Sequence, residues 1–157
     1  MSLATTVRVG QLAGHNDLVG TRLAGYVGIA IAALSMGVVV LGFWLVPKSI
    51  ISLYIDINNQ NNADVVALAV KLLAVAAIFQ IVDGVQVTAA GALRGLKDTR
   101  IPMLIGIFAY WCVGLFTGYI FGILLGFGAI GFWWRLAIGL AIAAIILTWR
   151  FSTRKTK

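Results

Sequence analysis

The sequence predicts an all-α, polytopic membrane protein of four transmembrane helices. Three observations carry this. Of the 157 residues, 61% are hydrophobic and only 11% charged, against roughly 25% charged in soluble globular domains. Four apolar runs reach the about 20 residues needed to cross a hydrocarbon core about 30 Å thick. The basic residues gather at the ends of those runs, where bilayer topology accounts for them.

The first run extends over about 23–46 and stops at Pro47, which lacks the N–H that a continuing helix uses. The second covers about 65–93, with Asp64 expected to cap its start. A third begins at Pro102, a residue favoured in a first helical turn, and reaches about 125. Gly126, Gly128 and Gly131 leave a tight turn before the fourth, at about 130–151. Residues 1–22 then read as a cytoplasmic connector and 152–157 as a basic cytoplasmic tail.

Twelve Lys and Arg against five acids give a net charge of +7. They line no single polar face, so no nucleic-acid partner is expected; the partner is the lipid bilayer. Arg8 and Arg22 precede the first helix, Arg94, Lys97 and Arg100 join the second to the third, and Arg150, Arg154, Lys155 and Lys157 follow the fourth. The Asn58–Asn62 loop carries no basic residue. The positive-inside rule therefore predicts both termini in the cytoplasm and a multi-pass protein of the inner (plasma) membrane. Cys112, the single cysteine, offers neither an intrachain disulfide nor metal-ligand spacing. His15, in a polar connector, has no nucleophile beside it.

In lipid, helices associate through close backbone approach at small residues. On the third helix Gly114, Gly118, Gly122 and Gly126 recur at every fourth position, predicting a groove for a neighbouring helix. The second helix carries the chemistry: Gln80, Asp83 and Gln86 fall within one sector. An acid at mid-membrane costs about 2.5–3.5 kcal/mol on insertion scales, so it faces a polar cavity or a partner. Asp83 is thus a candidate for holding a proton, Na⁺ or a cationic ligand. The competing reading pairs it with a base on another helix, for which Arg135 is better placed than Lys71. Phe79, one turn before Asp83, either stacks on an aromatic cation or packs; Tyr110 and Trp111 either line a cavity or pack.

Phe79-Gln80-Ile81-Val82-Asp83-Gly84-Val85-Gln86, followed by Gly91-Ala92-Leu93-Arg94-Gly95-Leu96-Lys97-Asp98-Thr99, resembles the tenth helix and adjoining loop of the multidrug and toxic compound extrusion (MATE) family. Arg8-Val9-Gly10-Gln11 is similar to the loop after that family's eighth helix, Tyr110-Trp111 to its eleventh, and Gly131-Phe132-Trp133 with Gly139-Leu140 to its twelfth. The resemblance implies helices nine to twelve of a twelve-helix exporter that moves cationic or amphipathic compounds outward against H⁺ or Na⁺. It also implies that Asp83 occupies the position of an aspartate contributing to cation and drug binding. Phe79 lacks the hydroxyl some relatives offer, and Phe116 and Trp134-Arg135 depart from the family pattern.

The resulting expectation is a component of a secondary antiporter, with Asp83 as the coupling site and Gln80, Gln86, Phe79 and Tyr110 around it. No enzyme activity, resident metal or cofactor is expected beyond the coupling ion, with Na⁺ at Asp83 one of the two choices. Its partners would be the missing N-terminal helices or a complementary chain, and cationic small molecules. A non-transporting fragment and a small channel or flippase-like protein are the alternatives.

Overall fold

The computed structural model describes residues 1–57, 59–120 and 128–154, excluding the side chains of 118, 128–130 and 132. Helices α1 (Ser2–Gly14), α2 (Leu18–Leu45), α3 (Pro47–Ile51) and α4 (Ala63–Gly95) are followed by α5 (Arg100–Ile107). A π-helical segment, Phe108–Gly114, continues into α6 (Leu115–Gly118), and α7 (Gly128–Thr153) completes the described fold. Four of these stretches, Leu18–Leu45, Gln60–Gly95, Arg100–Thr117 and Trp133–Thr153, are long and apolar enough to cross a membrane.

Local chemistry sets the helix ends. Both α1 and α4 close with paired bonds around a left-handed residue, the arrangement that satisfies terminal carbonyls. After α1 that residue is Asn16, with φ 57°; Asn16 N donates to Ala13 O at 3.1 Å and Asp17 N to Leu12 O at 3.0 Å. After α4 it is Lys97, with φ 59°, and its N donates to Arg94 O at 2.9 Å while Asp98 N donates to Leu93 O at 3.0 Å. Each cap delivers an aspartate to the next structure. Asp17 accepts from Gly20 N at 2.8 Å and so starts α2. Pro47 stands at the first position of α3. Asp64 lies in the first turn of α4, its charge facing the positive helix end, but the cap position belongs to Asn62.

The stretch 1–22, read as a connector, contains a helix that packs. Ser2, Thr6 and Gly10 of α1 meet Val87, Gly91 and Gly95 of α4 in parallel, each pair 85 positions apart. Ser2 Oγ donates to Val87 O and Thr6 Oγ1 to Gly91 O, both at 2.9 Å. A Cβ on Gly95 would lie 2.6 Å from Thr6 O, so the backbones can only approach this closely with glycine there. Hydroxyls facing carbonyls let a polar stripe pack within an apolar bundle, which is why its polarity reads as connector.

Helix α4 is central, touching α1, α2 and α7. Its residues Thr88–Leu93 are all buried, and Ala89, Ala90, Ala92 and Leu93 form a core with Val9, Leu147 and Phe151. Gly25 of α2 takes the Phe151 ring against its backbone, and Tyr26 meets that ring edge-on at 5.7 Å. Gly84 receives Met36. These contacts bring the end of α1, the start of α2 and the ends of α4 and α7 together at one end of the bundle, with Arg8, Arg22, Arg94, Lys97, Arg100, Arg150 and Arg154.

The third span runs through Arg100–Thr117, its hydrogen bonding widening to a π-helix over Phe108–Gly114; residues 121–125 of the expected 102–125 lie outside the described residues. Gly114, at the end of the π-helical segment, is buried. Opposite it, Gly139 of α7 lies with its Cβ direction 3.0 Å from Ala109 O and 3.9 Å from Gly114 Cα. Gly106, on the earlier part of the span, meets nothing within 4 Å. Gly118 closes α6, while Gly122 and Gly126 lie outside the described residues.

Candidate functional site

Asp83 stands near the middle of α4, and Gln80 and Gln86 flank it at three-residue spacing; all three are half-buried. The neighbouring face is occupied, because Gly84 packs on α2 through Met36. Among the described residues Asp83 makes no ion pair and no hydrogen bond, either with Arg135 or with any other base. Tyr110 lies on the π-helical segment, which packs against α7 rather than α4. Tyr110 is 42% exposed. Phe79 is half-buried and meets Trp133 of α7 edge-to-face, with centroids 6.0 Å apart and planes at 86°.

This arrangement places one carboxylate and two amides on a single sector of α4, without bringing Tyr110 into contact with them. The carboxylate can hold a proton or a cation, and the amide oxygens can supply further ligands to a hard cation, which prefers oxygen donors. No group of three His, Cys, Asp or Glu side chains stands together among the described residues. The Phe79–Trp133 contact uses both rings in packing α4 against α7.

A second acidic site escaped the sequence reading. Asp98 is only 6% exposed, and its Oδ2 accepts from Arg150 Nε at 2.9 Å and lies 2.8 Å from Arg150 Nη2. Arg154 Nη1 reaches the same oxygen. The α4 cap turns Asp98 inward, and one carboxylate then joins the α4–α5 turn to the end of α7. Asp98 sits among Arg94, Lys97 and Arg100, where a lone acid looks solvated; its true partners are 52 and 56 positions away.

Two grooves open elsewhere on the bundle. One, of 490 Å³, lies between Tyr26 of α2, Val85 of α4 and the Ala144–Ser152 stretch of α7; the other, of 350 Å³, lies between Ile51, Leu72 and Trp133. Asp83 lines neither.

The bundle and its sequence can be placed among known proteins. The MatE family pattern matches residues 1–120. Multidrug resistance protein NorM of Burkholderia vietnamiensis is 47% identical over 148 residues, covering 94% of this chain and 32% of that protein. The probable multidrug resistance protein NorM of Pseudomonas aeruginosa is 45% identical over 157 residues, covering 100% of this chain and again 32% of the relative. The chain thus spans about a third of the length of these relatives. The crystal structure of the eukaryotic MATE transporter AtDTX14 shares the fold, with a TM-score of 0.82 at 18% identity over 98% of this chain and 33% of its own. The family pattern covers α1 through α6, and the four apolar helices match one part of a solved transporter; the chain therefore belongs to the MatE family.

Proposed function

We propose that this chain carries the coupling site of a cation-driven multidrug exporter, with Asp83 exchanging H⁺ or Na⁺ for a cationic or amphipathic compound. The observation that supports this most is an aspartate within a membrane-spanning stretch that no base neutralises among the described residues, half-buried between two glutamines of the same helix. An intramembrane acid without a counter-ion is costly unless it takes up a proton or a cation. Gln80 and Gln86 supply polar support on the same sector, and Tyr110 of the third span is the further oxygen that a bound cation or drug would recruit. The two curated relatives named above are multidrug resistance proteins, which agrees with drugs as cargo. Because the chain spans a third of their length, the exchange cycle belongs to an assembly in the inner membrane that also contains the other helices.

In a complete exporter carrying this segment, Asp83→Asn keeps the side-chain size and removes the charge. Ion-gradient-driven efflux in vesicles should fall to background while the protein still inserts. Asp64→Asn, whose acid lies in the first turn of α4, should pump like the parent. Equal pumping by both variants would reduce Asp83 to a polar structural residue.

A further inference from the structure

The 490 Å³ groove between α2, α4 and α7 has no place in the exchange chemistry above. Its walls are apolar, from Val85, Ala144 and Ile145. Towards the arginine-rich end they change character, with Tyr26, Trp149 and Ser152. Tyr26 is 43% and Trp149 66% exposed, and such amphipathic rings favour the level where acyl chains meet headgroups. Arg22 lies one turn before Tyr26 on the same face of α2, is exposed, and makes no ion pair among the described residues.

We propose that this groove binds an anionic phospholipid, one acyl chain lying along Val85 and Ala144 and the phosphate meeting Arg22. Two features favour that occupant. From Ala144 to Ser152 the α7 wall runs eight residues, about 12 Å at 1.5 Å per residue, close to the depth of one leaflet of a core about 30 Å thick. The charge at the mouth is positive and selects a negative headgroup, as basic sites between membrane helices do. Arg150 and Arg154 already share the Asp98 carboxylate, which leaves Arg22 as the basic side chain one turn from Tyr26 without an ion pair among the described residues.

The test uses the full chain in phosphatidylcholine vesicles doped with phosphatidylglycerol brominated at mid-chain, reading Trp149 emission as the difference between the chain and Trp149→Phe. Quenching should reach its half-point at an about fivefold lower mole fraction of brominated phosphatidylglycerol than of brominated phosphatidylcholine, the effect of one cation near the surface. Arg22→Gln should bring the two half-points together. Arg100→Gln, at the same end but off the groove, should leave them apart, and Val85→Phe should fill the groove and abolish the preference. Equal quenching by both lipids overturns the proposal. So does a loss in Arg100→Gln as large as in Arg22→Gln, which would mean a diffuse basic surface. If Val85→Phe does not insert, the two arginine variants decide alone.

Discussion

Lys97 occupies a left-handed conformation, φ 59°, where its Cβ crowds the following carbonyl at about 1–2 kcal/mol relative to a right-handed residue. Glycine carries no such cost there. Lys97→Gly should therefore stabilise the bundle by about 1 kcal/mol, read as a higher midpoint of thermal unfolding in detergent. The adjacent Asp98 predicts the opposite. With 6% exposure on the acid and 32% and 35% on its arginines, Asp98→Asn should cost less than the about 3–5 kcal/mol of breaking a fully buried pair, yet clearly more than a surface change. The same unfolding measurement checks it, and a shift no larger than that of Lys48→Gln, a change at an exposed side chain, would show the cluster to be solvated. The two acids differ in how legible they were. Asp83 is conspicuous because an acid within an apolar run is chemically out of place. Asp98 is not, because only the folded cap turns its carboxylate towards distant arginines.

Among the elements, the apolar runs marked the spans because length and composition are all the bilayer demands of them. Their contacts were less readable. The four-residue glycine pattern of the third helix drew attention to Gly114, but the residue facing it, Gly139, belongs to no four-residue glycine register in α7. The tightest described glycine contacts include those of α4 against α1, where hydroxyls on one helix face glycines on the other and neither stripe looks like an interface by itself. Gly91→Val should separate α1 from α4, since a side chain there enters the space of Ser2 and Thr6. Gly106→Val, with nothing within 4 Å of its added Cβ, should be tolerated. Disulfide formation between cysteines placed at 2 and 87, in a Cys112→Ser background, distinguishes them: it should be lost with Gly91→Val and retained with Gly106→Val.

At the scale of the whole molecule, the contacts among α1, α2, α4 and α7 place seven arginine and lysine residues at one end of the bundle, and the positive-inside rule predicts that this end faces the cytoplasm. Cysteine labelling of intact cells with an impermeant maleimide should then reach position 59 and spare position 97; the reverse pattern would invert the topology. The same end contains the Asp98 clamp. Parting α7 from α4 there means pulling one carboxylate away from two guanidiniums, so the two helices are tied most firmly at this end. Helix α7 has 26 residues and is about 39 Å long at 1.5 Å per residue. Pivoting it by about 10° about the clamp would carry its far tip through about 7 Å, so a small rotation at the arginines becomes, by leverage, a wide aperture at the opposite face.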